Sequence, residues 1–317
     1  MRHLELSFKG RNNLWRYIIM IVLIFTVTNT VGSLPLTIVS LIKSSDNPEV
    51  LSKISSDLNS LTTMGIDQNL LLALILFSFI AGLAAYGLMV RPMHGRSFLE
   101  TVTGAPGIRW SRALISGLIW MLLMAVYLFV YIGFDPENFS INNNSSSLIL
   151  LGLIAVILIP FQAAFEEVLF RGYLMQGFTL LIPGRLFPLA ATSVMFALMH
   201  SLNPEVKEFG FFAIMPQYLT FGLVFGIITI LDDGIEAAIG AHAANNVFLC
   251  IMVTQKSSAL QTQALYQQHN FHPLIELAGL VVSGIVLIMI LKKIFKWDGF
   301  FLLRSKVEPP HIQSHIP

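Results

Sequence analysis

Apolar residues run along this chain in blocks of about twenty, the length a helix needs to cross roughly 30 Å of hydrocarbon, with short polar stretches between them. Eight blocks can be drawn, at about 17–42, 69–90, 112–134, 148–170, 186–202, 211–231, 236–255 and 275–294. The first is too long for one straight crossing and contains Gly32 and Pro35, which predict a kink or an interfacial end. The fifth is short, with Pro188 near its start. The pattern predicts an all-α fold, a multi-pass transmembrane helical bundle of about eight crossings. No small-residue cleavage pattern follows the first block, so it is read as a retained crossing and not as a signal peptide.

Composition agrees with that picture. The 317 residues are 55% hydrophobic and 12% charged, against about 45–50% and 25% in an ordinary soluble domain. A net charge of +1, with no basic patch interleaved with aromatics, gives no reason to expect nucleic acid. Membrane lipids are the expected surroundings. The single Cys250 rules out a disulfide framework within the chain and offers no paired-thiol metal site.

Lysine and arginine then set the orientation. If the N-terminus is cytoplasmic, fifteen bases, Arg171 among them, fall on that side and four, Lys43, Lys53, Lys207 and Lys256, on the other. This positive-inside bias predicts both termini in the cytoplasm and, for the protein, a place in the cell membrane. The loop "FDPENFSINNNSSS" at 134–147 carries no base and agrees. With no fixed-period repeat, one membrane domain is expected. Segment 1–147 bears no assignable motif, 148–255 holds the ionisable groups, and 256–317 is the last crossing with a polar tail, "EPPHIQSHIP".

Ionisable groups within such segments are expensive and by default mark function. In "FEEVLFRG", Glu167 and Arg171 are four apart with the acid N-terminal, an order that allows pairing on one helical face. Glu166 points about 100° away and lacks that partner. The plain reading, charges at the cytoplasmic end of a crossing, suits an isolated ExxxR better than it suits two adjacent glutamates. In "VMFALMHSLNP", His200 read by itself is an interfacial or carbonyl-bonded histidine. In "AIGAHAANNVFLC", His242 and Asn246 share a face among small residues that let another helix approach closely; read alone they are an interhelical hydrogen-bonding pair. Helical rise puts Glu166 and His242 on the order of 10 Å, and His200 about 20 Å, from their cytoplasmic ends.

The ordered set EExxxR, FxxxH and HxxxN, here Glu166-Glu167 to Arg171, Phe196 to His200 and His242 to Asn246, resembles the CAAX protease and bacteriocin-processing family of intramembrane endopeptidases, also called the Abi family. The resemblance spans about 148–255 and implies an all-helical bundle with a cavity between the motif-bearing helices. It implies Glu166, His200, His242 and Asn246 as catalytic residues, supported by Glu167, Arg171 and Phe196, and a protein or peptide substrate, a lipidated one included.

The residues themselves allow that chemistry. No serine or cysteine stands in a nucleophile context, so an activated water is needed. A carboxylate in an apolar site is a better base near neutral pH than a solvated one, which favours Glu166, assisted by His200, as the group that holds and deprotonates it. His242 and Asn246 would donate to the oxyanion. The competing account is a catalytic zinc on Glu166, His200 and His242 with an open fourth position. It leaves Glu167 as the only separate base, so the metal-free form is favoured. No HExxH occurs, the Ser283-Gly284 pair lacks the glycine of a GxSG pattern, and "LDDG" at 231–234 reads as a turn at a helix end. Outside proteolysis, two readings stay open: a non-catalytic adaptor or immunity protein on the same scaffold, and a transporter, for which no repeat is found.

Overall fold

The computed structural model describes residues 2–45, 61–62, 65–142, 145–259 and 261–309. Lys53, Asn143, Asn144 and the tail beyond 309 lie outside the described residues. The chain is a mostly helical, multi-pass bundle: α1 (Leu14–Asn29), α2 (Leu34–Ser44), α3 (Gln68–His94), α4 (Phe98–Val102), α5 (Trp110–Phe134), α6 (Ser145–Glu167), a π-helical segment Val168–Leu174, α7 (Met175–Leu181), α8 (Leu186–Met199), α9 (Pro204–Phe209), α10 (Phe211–Asp232), α11 (Glu236–Met252) and α12 (Pro273–Phe295).

Local chemistry sets several boundaries. The first apolar block breaks where expected: Gly32 packs against Ser78 of α3 with no room for a Cβ, and Pro35 sits in the first turn of α2, where its missing N–H costs nothing. Asp67 caps α3 by accepting from the Leu70 amide at 3.0 Å, and Gly95, at φ 69°, ends it in the left-handed conformation. Ser97 and Glu100 form a capping box on α4.

Six helical stretches are long and apolar enough to cross a membrane among the described residues. Eight crossings were expected; the other two helices are shorter, α8 with 14 residues and α11 with 17. The physical reason is clearest for α11, much of whose surface, including Ala237, Ala238, Ala241, His242 and Phe248, is buried by neighbouring helices. A helix enclosed in protein need not match the hydrocarbon thickness.

The helix ends sort onto two faces. On the face that carries both termini, residues 2–9, 95–109, 232–236 and 297–307 knot together. The backbone amides of Arg2 and His3 donate to the Asp233 carboxylate at 2.9 and 2.8 Å. Gln176 donates to the His3 and Glu100 carbonyls. Arg109 donates from Nε and Nη2 to the two oxygens of Glu236 at 3.0 and 2.6 Å. Asp232 lies 3.1 Å from Arg109 and 2.8 Å from Arg112 and accepts from the Trp297 indole. "LDDG" is the turn expected, with Asp233 left-handed at φ 58°, but it is also the hub of this knot.

The opposite face departs from an all-α fold, carrying a three-stranded sheet ordered β1-β3-β2. Strand β1 (Phe139–Ile141) pairs antiparallel with β3 (Tyr266–Gln268), which pairs parallel with β2 (Val253–Thr254). Strands this short carry no readable period.

Candidate active site

Small residues bring the site helices together. A Cβ on Gly240 would collide with the Ala113 carbonyl, so α11 lies backbone to backbone on α5. At Gly222 a Cβ would meet Ser193, so α10 is pressed on α8. These two contacts hold His242 and Phe196 against α6.

At the end of α6 the two glutamates meet one imidazole. His242 Nδ1 donates to Glu167 Oε1 at 2.8 Å, and its Nε2 stands 3.7 Å from Glu166 Oε2. Arg171 donates to Glu167 Oε1 at 3.0 Å and to the Gly222 carbonyl at 3.3 Å. The expected Glu167–Arg171 pair is present, but Glu167 also orients His242. Arg171 is fully buried, its guanidinium 4.3 Å from the centre of the Phe196 ring, a cation–π contact that offsets part of its desolvation. It therefore drops out of the charges on which the expected orientation rests, whose imbalance keeps its sense without it. The segment Val168–Leu174 is wound as a π-helix, a local widening that recurs at functional sites.

Phe225 stacks on His242 with ring centres 5.1 Å apart. His200, just past α8, donates Nδ1–H to the Phe196 carbonyl at 2.8 Å and stacks at 4.3 Å on Tyr218 of α10. The Tyr218 hydroxyl donates to Glu205 and accepts from Asn203 at 2.8 Å. A second line of polar groups runs from α5 to α6: the Trp120 indole donates to Asn245 at 3.1 Å, Asn245 to Asn246 at 3.0 Å, Asn246 to Gln162 at 2.9 Å, and Gln162 to Glu166. The Asn246 amide is thus directed at Gln162.

Glu166, His200, His242 and Asn246 all line one cavity of about 430 Å³. His200 and Glu166 reach a common depth because the glutamate sits deeper than expected. Its helical stretch continues to Leu181, fifteen residues on, so it lies on the order of 20 Å from that end. From the cluster the cavity runs toward the sheet-bearing face, past Tyr127, Tyr131, Phe139, Gln255, Gln268 and Glu276. Gln162, Asn203, Glu205, Tyr218, Phe225 and Asn245 were not singled out from sequence. Gln162, one helical turn before Glu166, is the one that spacing could have shown.

A family model described as type II CAAX prenyl endopeptidase, Rce1-like, matches residues 144–248, the stretch that holds the whole cluster. The chain belongs to this Rce1-like family. It is also similar to an uncharacterized protein, YyaK, of Bacillus subtilis (strain 168), 32% identical over 251 residues that make up 79% of this chain and 81% of that protein. No solved structure matches.

The zinc set fits this Rce1-like site poorly. Among the described residues no group of three or more His, Cys, Asp or Glu side chains is gathered to hold a metal ion. The Nδ1 bonds of His242 to Glu167 and of His200 to the Phe196 carbonyl leave each Nε2 free and do not count against a metal; the misfit lies in the spacing of the side chains. No step is therefore routed through a metal.

Proposed function

We infer that this protein is an intramembrane endopeptidase that hydrolyses a peptide bond in a protein or peptide substrate with a water activated by Glu166. The observation that carries this reading is His242 held between two carboxylates, one bonded and one 3.7 Å away with its Oε2 unpartnered. A water about 2.8 Å from both Glu166 Oε2 and His242 Nε2 forms a sensible hydrogen-bonded triangle over that gap.

Glu166 takes one proton from this water and the hydroxide oxygen attacks the scissile carbonyl carbon. His200, whose Nε2 is left as an acceptor by the bond at Nδ1, steadies the same water. The charge that develops on the carbonyl oxygen is met by His242 Nε2–H and by the Asn246 amide hydrogen not given to Gln162. Collapse of the intermediate breaks the C–N bond, with the proton on Glu166 passing to the leaving nitrogen. Glu167, Arg171 and Phe196 act by holding His242.

The finer topology belongs to the same reading: about eight crossings, the terminal face cytoplasmic, residence in the cell membrane, and 148–255 as the catalytic core between motif-free segments. Purified protein in detergent is tested against a peptide pool. Cleavage is expected to fall about 10²–10⁴-fold in Glu166→Gln, to fall in His242→Ala and His200→Ala, and to survive a zinc chelator. Undiminished cleavage in Glu166→Gln removes the assigned base, and loss with chelator restored by zinc replaces the metal-free account.

A further inference from the structure

The cavity has an unbalanced wall. Among its described lining residues are three glutamates, Glu166, Glu205 and Glu276, and no lysine or arginine. Glu276 is already engaged, accepting from Tyr127 at 2.8 Å and Gln268 at 3.0 Å. Glu205 uses only Oε1, toward Tyr218, while its Oε2 is buried without a hydrogen-bond partner. Glu166, nine-tenths buried, likewise presents an unpartnered Oε2 to the same space. Away from bulk water such atoms are costly unless an occupant of the cavity supplies a donor.

Position says what the occupant brings. One aromatic ring separates Glu205 from His200: Tyr218 stacks on the imidazole at 4.3 Å and holds Glu205 with its hydroxyl. A lysine or arginine side chain, about 6 Å long, can span that ring's width from a backbone lying against His200 and Glu166. An anionic group at the same place, a free C-terminal carboxylate included, meets no lysine or arginine and three carboxylates.

We propose that Glu205 is the specificity-determining carboxylate of this cavity and takes a lysine or arginine side chain of the peptide substrate beside the scissile bond. The proposal rests on the peptidase reading for its bond, but not for its binding. A purely structural role, capping the short α9 or anchoring Tyr218, needs only an acceptor at this position, which glutamine also supplies. Charge is the property that separates the two.

The test uses fluorescein-labelled peptides from the cleaved pool, matched except for lysine, norleucine or glutamate at each position flanking the cleaved bond, or at each position of a fixed decapeptide if none is cleaved. Binding is measured by anisotropy to full-length Glu166→Gln protein in detergent, and cleavage by the unsubstituted protein. At one position the lysine peptide is expected to bind about tenfold tighter than norleucine, with glutamate weakest. Adding Glu205→Gln should bring lysine and norleucine to within about threefold, and Glu205→Lys should favour the glutamate peptide. Equal binding of the three peptides, or a lysine preference that Glu205→Gln leaves intact in folded protein, overturns the proposal. Lysine-selective binding without cleavage would sink the peptidase reading alone, whereas cleavage without charge selectivity would sink this one alone.

Discussion

Glu236 and His242 lie six residues apart on α11 and belong to two opposite kinds of buried charge. At Glu236 both carboxylate oxygens are held by one guanidinium, at 3.0 and 2.6 Å, and the Arg109 amide adds a third donor. Around His242, Glu166 Oε2, Glu167 Oε2 and Arg171 Nε have no hydrogen-bond partner. The helix pair that completes the first cluster frames the second, so the incompleteness is not a failure of local packing. Glu236, whose partners are all supplied by the chain, stabilises the fold; open positions at Glu166 and His242, which line a cavity, are arranged for atoms that come from elsewhere.

Substitutions should separate the two clusters, and the widest separation is expected from Glu166→Gln. It should remove about 10²–10⁴-fold of turnover while leaving the melting temperature in detergent unchanged or slightly raised, because it retains the acceptor for Gln162 and deletes an unpartnered charge. A melting temperature lowered by many degrees would put Glu166 in the structural class. Next in size, Arg109→Ala leaves Glu236 buried without its cation and should cost about 3 kcal/mol, the low end for a broken buried pair, since its side chain keeps 22% exposure. The molecules that remain folded should keep their KM; a selective loss of turnover without loss of stability would merge the two clusters. Tyr218→Phe keeps the ring on His200 but drops the hydroxyl and its bonds to Glu205 and Asn203, so activity should fall about 5–100-fold, the worth of two hydrogen bonds.

The smallest effect is one of pH on the terminal knot. Burial pushes the His3 imidazole below its ordinary value of 6.5. Its Nε2–H donates to the Thr101 carbonyl at 2.8 Å and its Nδ1 is buried without a partner, so a second proton has no acceptor. The unfolded chain binds that proton near pH 6.5 and the folded chain only at lower pH. Stability should therefore be level above about 6.5 and decline as pH falls below it, and His3→Gln should flatten the decline in a thermal-shift series.

What the sequence could and could not show follows from the same contrast. The Glu167–Arg171 pair was readable because both residues share one helix and a four-residue spacing. His242 with Asn246 was readable as a shared face for the same reason, whereas Phe196 with His200 was legible only through the resemblance. That Glu166 and Glu167 flank a single imidazole was not, because it depends on how α11 lies across α6, two helices some seventy-five positions apart in the chain. The Trp120–Asn245–Asn246–Gln162 line has members on three helices and no spacing of its own. The small sheet joins 139–141 to 266–268 in runs too short for alternation to register, and the extension of the α6 stretch to Leu181 through a π-helical segment is invisible to a reading in regular helical turns. Only interactions local in sequence left a pattern; those that set depth and partnership arise between segments.

The clamp of Asp233 on the amides of Arg2 and His3 also orders events during synthesis. These groups are separated by about 230 positions along the chain, so this clamp, unlike the nearer bonds of His3 to Thr101 and Gln176, forms only after most of the chain has been made. Closing so long a loop is entropically slow. A nascent fragment that ends before Asp233 therefore already carries Glu166 and His200 but lacks the clamp, α11 and His242, so the cluster is completed only when α11 has followed.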